Sequence, residues 1–569
     1  MLILQWLGAI AAVWGTWVVA TAVLVGIGLL VRPTVRDRGD VALAFWMGFA
    51  GVIGLLQFWH FVLPIDGVTQ IAVIAIGGFG LAWRGRRLWP LRPGRRTTLA
   101  LFTLSLWLAN RAIGPGDASD SGLYHYHTMA WYGEHAIVPG SANLHLRLGF
   151  NHGFLLFAAL CDAGPWEGRG EHVASGLTLL GIGGMAVAAL GRMWVGDRRP
   201  AIIFATLLVV PVTLMALGKE ASSPRTDWPA AAVALIAVWQ LLRTDFDKTA
   251  AFVLVGLLPV MKLSVAAIGI GVWIAAVASN MNRRRWALAF VVPLLFVPPW
   301  LVRGAVLSGH PLFPADIGAV SVDWKLPAEI VDQEQANIER FSRVGTAGLV
   351  GRVLKREVDT SPAVLENFRW VPNWALAVGL TGFVHVVCPL VFGVAFLAWR
   401  RRLALALLPG VLGLLVWFFG APEPRFGMAA AWCFGAAAIA LARPKSLTVS
   451  MTVTVGLALT VTWAAALQVK LRQRNPLEVI PLILPTDGGF HEHEAVEHVP
   501  FTTNWGTRIM QPEPLHKPWR GPLLSTGFPH RDLRLRDPND IAAGFQIVEH
   551  PTAERHGFGV TFPSDGTNN

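Results

Sequence analysis

Residues 117–152 read DASDSGLYHYHTMAWYGEHAIVPGSANLHLRLGFNH, and the reading of this stretch decides the rest. It holds three carboxylates, five histidines, two asparagines and an arginine. A largely apolar run, 99–114, leads into it, and the chain turns apolar again behind it. Lipid offers polar groups no hydrogen bonds, so such a cluster between apolar segments must be hydrated. It is expected at headgroup level, as the active-site loop of a membrane protein.

Outward from that loop, 54% of the 569 residues are hydrophobic and 15% charged, against about 25% charged in soluble domains. This excludes a soluble enzyme. The net charge of +11 is not a nucleic-acid signature, because the basic residues sit in short clusters between apolar runs. Those clusters are Arg32/Arg36/Arg38, six arginines from Arg84 to Arg96, Arg192/Arg198/Arg199, 283–285, 400–402 and Arg443/Lys445. The positive-inside rule assigns them to the cytoplasm; only 243–248 is silent, since Asp245 and Asp247 balance it. Cys161, Cys388 and Cys433 show no disulfide or metal-thiolate spacing. The apolar N-terminus lacks a basic lead and is too long for a signal peptide, so it reads as a retained first helix.

Apolar runs fall near 5–31, 41–63, 68–84, 98–114, 172–192, 200–217, 228–242, 249–261, 263–280, 286–302, 374–398, 403–420, 427–442 and 446–468. They predict an all-α polytopic protein with about 14 transmembrane helices. Residues 1–97 read as an added helical bundle and 98–468 as the catalytic core, with outer loops at 115–171 and 303–373. Residues 469–569, rich in Pro, Gly and charge, read as a small irregular extracytoplasmic tail. Lys262, in the middle of an apolar stretch, argues for a turn toward the polar side.

Within the loop, Tyr124, His127, Trp131 and His135 fall on one helical stripe that starts at Asp120. Asp120 is either the helix N-cap or a functional carboxylate, and both readings stand. Residues 150–161 are too short to span and are expected to lie in the interface, with Trp131 and Tyr132 in an aromatic belt. The histidines beside Asp117, Asp120 and Glu134 offer donors for a divalent metal, although His125 and His127 at i and i+2 diverge on a helix. The tail segment HEHEAVEH (491–498) is a second donor-dense run on a solvated surface. On the loop's side also lie Arg225, Asp227, Lys262, Arg303, Glu423 and Arg425, each at the boundary of an apolar run. Singly each reads as a snorkelling charge. Together they set cations beside carboxylates, which suits a phosphate-bearing substrate.

The patterns D-x-G-L-Y-H (120–125) and V-P-G-x-x-N-L-H-x-R-L-x-F-N (138–151) resemble a large family of bacterial multipass proteins. S-S-P-x-T-D (222–227), K-L-S (262–264), S-G-x-P-L-F-P (308–314), P-x-P-R-F (422–426) and D-L-R-L-R…G-F (532–545) match it too, so the resemblance runs from about 98 to the end. In layout that family is similar to the GT-C superfamily of membrane glycosyltransferases. The resemblance implies a transferase that moves a sugar from a polyprenyl-phosphate-linked donor to an envelope glycan or lipid acceptor. The site would face outward from the bacterial cytoplasmic membrane. It implies Asp120 as base with Asp117 as runner-up, and Arg225 and Asp227 as a second acidic turn. Lys262, Arg303 and Arg425 would hold the phosphate. Tyr124, His125, Asn143, His145, Arg147, Asn151 and Glu423 would line the substrates. Asp117 and Asp120 do not form the adjacent acid pair that a metal-assisted carboxylate would need. A transporter or flippase for a lipid-linked or anionic solute, and a ligase or polymerase of lipid-linked glycans, are the competing expectations.

Overall fold

The computed structural model describes residues 1–550 apart from 33, 117, 280, 346–350, 352–358, 360, 401–403, 472–481, 492–494 and 514–516. Among the described residues, eight helices are long and apolar enough to cross a membrane. They number nine if Val371–Thr381 and Phe383–Trp399, bent by 92°, form one span. The expectation of about fourteen counted apolar runs rather than helix lengths. Asp227–Leu241, Lys248–Met261, Leu263–Val277 and Leu405–Gly420 are helices of 10–17 residues. Arg95–Ala112 carries Arg95, Arg96 and Arg111 in its 18 residues.

The connections segregate to two ends. At one, Arg32 pairs with Asp40 (3.0 Å) and Asp247 (2.5 Å), and Arg243 pairs with Asp40 (2.8 Å). Arg38 donates to the carbonyl of Arg92 there, and Arg84 to that of Leu29. The balanced 243–248 turn thus joins the arginine-rich ones. The loop, the 219–227 turn, Lys262, the 421–426 turn and the tail gather at the other end.

Helix length then sets depth. Asp40, at the start of Arg38–Trp59, and Arg243, just after Asp227–Leu241, are paired and so lie at one level. From that level, 22 residues rise about 33 Å and 15 residues only about 22 Å, before tilt. Lys248–Met261 has 14 residues and is shorter still. Asp227 and Lys262 therefore sit roughly 10 Å below the end of the full-length span.

Residues 1–97 are part of the common core. Trp17 donates its indole N–H to the carbonyl of Val173 at 2.9 Å. A Cβ on Gly28 or Gly48 would fall 1.8 Å from the Ala44 oxygen or 1.7 Å from the Leu24 oxygen, so only glycine permits this helix contact. The 150–161 segment corrects an expectation. Every residue of the Gly153–Cys161 helix is buried, because FLLFAALC is apolar on all faces and neighbouring helices cover it. Trp131 and Tyr132 are likewise buried rather than in a belt.

The tail is β-structured rather than irregular. Glu497–Thr502 pairs antiparallel with Arg508–Glu513, and Leu533–Asp537 with Asp540–Ile547. It closes over the loop. The Phe545 N–H donates to the Pro139 carbonyl (3.0 Å), the Trp519 N–H to that of Gly122 (2.9 Å), and Arg520 reaches Glu171 and Asp162.

Candidate functional site

Three helix ends bring charge to one point. Asp227 lies in the first turn of Asp227–Leu241, where the dipole favours an acid, and Lys262 caps the C-terminus of Lys248–Met261, where it favours a cation. The two side chains form a salt bridge. Pro422 and Pro424 fix the entrance to Pro424–Ala442, whose first turn carries Arg425. A cation is unfavourable at a helix N-terminus, so Arg425 is held by acids from elsewhere. Its Nη1 donates to Asp120 Oδ2 at 2.6 Å and lies 4.0 Å from Asp227 Oδ2.

Asp120 does not cap its helix: its side chain makes no cap hydrogen bond, and a π-turn, Ser121–His125, follows directly. Its other oxygen lies 3.5 Å from Arg147 Nη1, while Arg147 Nε lies 3.6 Å from Glu334. Arg225 completes the set by pairing with Glu220 at 2.5 Å. Lys262 and Arg425 both lean on the Phe426 ring, at 4.3 and 4.9 Å. Four cations thus interleave with five carboxylates: Asp120, Asp227, Glu220, Glu334 and Glu423. Burial pushes Asp120 up, but Arg425 and Arg147 overcome it and hold its carboxyl well below the usual range. Burial prevails at Glu423, pushed up to about 7 against the pull of Arg425, and it raises Glu220 and Glu334 as well.

Around this network stand neutral groups. Burial pushes His125 and His152 down to about 3, despite the opposing pull of Asp120 and Asp227, and raises Tyr124. Ser121 Oγ meets Ser223 Oγ at 2.7 Å, and Ser222 donates to the Pro115 carbonyl, so the S-S-P turn fastens the loop. His125 Nε2, Glu423 Oε2, Glu220 Oε2 and both Glu334 oxygens are buried without hydrogen-bond partners among the described residues. The site therefore has unused hydrogen-bonding capacity on both the donor and the acceptor side.

Of the residues expected from the sequence, Asp120, Tyr124, His125, Arg147, Arg225, Asp227, Lys262, Glu423 and Arg425 share this site. Asp117 lies outside the described residues. Arg303 is fully buried elsewhere, giving Nη1 to His60 Nδ1 (2.9 Å) and Nε to Asn151 Oδ1 (3.3 Å). Asn151 is occupied by it and by Trp300. Asn143 holds the carbonyls of Gly140, Trp324 and Phe545, and His145 stands beside it. Glu220 and Glu334 were not singled out in the sequence, while Ser223 and His152 entered it only as members of the S-S-P-x-T-D motif and of the loop's five histidines. Glu334 had a signal, because it follows Ile330 and Val331 on the buried stripe of Ala328–Val344.

Among the described residues, one group of three or more His, Cys, Asp or Glu side chains is close enough to share an ion: Asp37, Asp40 and Asp245. Arg32 and Arg243 neutralise it at the opposite end. Residues 492–494 of the HEHEAVEH run lie outside the described residues.

Fold and site together define a polytopic helical membrane protein with a recessed ion-pair network under a β-structured cap. The chain belongs to the DUF8201 family, a domain of unknown function whose family model matches residues 11–432. The match begins within the first helix and runs across position 97, so the leading helices are part of the family's domain. No curated protein and no solved structure matches the chain.

Proposed function

We propose that the protein is an integral membrane glycosyltransferase of GT-C type. It would take a sugar from a polyprenyl-phosphate-linked donor and pass it to an envelope glycan or lipid acceptor at the outer face of the cytoplasmic membrane. The observation that carries the reading is the network itself: Asp120 is held between Arg425 and Arg147, beside Lys262 and Asp227, at the recessed end of short helices. Outside the cytoplasm no nucleotide sugar is at hand, so an activated donor must arrive through the lipid with its phosphate at headgroup level.

An arriving phosphate competes with the carboxylates for Arg425, Lys262 and Arg147. Asp120, stripped of its cations, becomes the stronger base in the same step. It takes the proton of an acceptor hydroxyl as that oxygen bonds to the anomeric carbon. The bond from that carbon to the phosphate oxygen breaks, and the cations stabilise the departing polyprenyl phosphate. Glu423, poised near neutrality, can return the proton to solvent.

Asp120→Asn tests this. Loss of a general base should lower transfer at least about a hundredfold. Since the exchange also unpairs Arg425, Asp120→Asn/Arg425→Gln is the companion: it should regain stability without regaining transfer. Near-normal product from folded Asp120→Asn, with Asp117→Asn inactive, would move the base to Asp117. Near-normal product from both would end the catalytic reading of this loop.

One observation favours a transporter, the 92° break between Val371–Thr381 and Phe383–Trp399. Transporters pair such breaks at the midplane. Among the described residues this bent pair has no counterpart.

A further inference from the structure

Between the 141–147 turn, the start of the Ala328–Val344 helix and the tail lies a narrow cleft that shares only Arg147 with the network described above. Asn143, His145 and Arg147 line one wall, Ile330 a second, Phe528 and His530 a third. His145 Nδ1 accepts the Arg147 backbone N–H at 3.2 Å, so its proton sits on Nε2. That Nε2 is buried and has no partner among the described residues. Asn143 directs its amide nitrogen at three carbonyls, which leaves Oδ1 a buried acceptor, also unpartnered. Phe528 meets the His145 ring edge-on at 6.3 Å and supplies an apolar surface.

We infer that this cleft binds a sugar ring. One fixed N–H donor and one fixed carbonyl acceptor match a hydroxyl array, in which every group both gives and takes a hydrogen bond. The aromatic and aliphatic walls match the ring's C–H faces. A fatty chain would leave both polar atoms unsatisfied. A phosphate would be drawn to Arg147 but repelled by Asn143 Oδ1. Arg147 lines the cleft and reaches Asp120 at 3.5 Å, so a ring held here stands one side chain from the candidate base. Its assignment as the acceptor's ring rests on the transferase reading; the binding does not. The tail thereby becomes a wall of the site: Phe528 and His530 would select the sugar.

The experiment is saturation-transfer NMR on the full chain in nanodiscs, with methyl mannoside, glucoside, galactoside and arabinofuranoside as probes. At least one glycoside should receive saturation. Phe528→Ala should cut that signal about fivefold or more, while Phe528→Tyr keeps the aromatic wall and the signal. If Phe528→Ala fails to fold, Ile547→Trp, which fills the cleft from the tail, takes its place. No transfer from any glycoside, or a signal that neither substitution lowers, overturns the cleft. A Phe528-dependent signal together with no sugar transfer by the unaltered protein would keep the cleft and end the transferase reading instead.

Discussion

Lys262→Met and Asp227→Asn probe the joint between two short helices. The two side chains form a salt bridge and are only 15% and 12% exposed. Breaking a buried pair by removing one partner costs about 3–5 kcal/mol, because the other charge is stranded. The two exchanges should differ. Lys262→Met gives up the ammonium's contact with the Phe426 ring but leaves Asp227 with Arg425 at 4.0 Å, so it belongs near about 3 kcal/mol. Asp227→Asn takes from Lys262 its salt-bridge acid and leaves Arg425 nearby, so it belongs near about 5 kcal/mol. The double exchange strands neither partner and should lie within about 1–2 kcal/mol of the parent, a coupling of several kcal/mol. Reversible unfolding in mixed SDS micelles, followed by tryptophan fluorescence, measures all three. A double variant that loses the sum of the singles would refute the coupling, and with it the claim that this pair ties Asp227–Leu241 to Lys248–Met261.

Glu423 gives a pH signature. Its pKa is near 7 in the folded protein and in the ordinary glutamate range unfolded, so the folded state holds the extra proton between about pH 4.5 and 7. Stability should fall as pH rises through that window, and Glu423→Gln should flatten the fall. An unchanged slope would exclude Glu423 as its source. Asn143→Leu removes three hydrogen bonds that hold the Gly140, Trp324 and Phe545 carbonyls, so trypsin should cut the tail faster; unchanged proteolysis would deny Asn143 its anchoring role. Glu167→Cys, exposed in the loop while all three native cysteines are buried, should react with an impermeant maleimide in intact spheroplasts. Labelling only after permeabilisation would invert the proposed orientation.

Most of the site was legible because its charges interrupt apolar runs. Asp227, Lys262, Glu423 and Arg425 each stand where a hydrophobic stretch ends, and alternating connections send such ends to one side. The same signal misled at Arg303. Its run also ends nearby, but the residue lies inside Val297–Ser308, where His60 and Asn151 supply neutral acceptors. Glu334 stayed hidden because AEIVDQEQANIERFSRV looks like a solvated helix until its phase is taken into account. The break at Lys262 was legible as well: a lysine inside an apolar stretch is costly in lipid, and the chain does turn there, between Lys248–Met261 and Leu263–Val277. The β-hairpins escaped because their pairing joins strands across turns that carry no strong hairpin dipeptide.

The short helices also fix how the protein should respond to salt. Their loop-side ends lie roughly 10 Å below the end of the full-length span, beyond the Debye length of about 8 Å at physiological ionic strength. Counterions that crowd the rim reach the recessed pairs poorly, and low-dielectric helix walls confine the field along the opening. Rising ionic strength should therefore spare Lys262–Asp227 and Arg425–Asp120. It should first loosen the rim contact between Arg536 and Asp323, whose side chains are 28% and 51% exposed. High salt would loosen this one edge of the cap while the charge network beneath it stayed assembled.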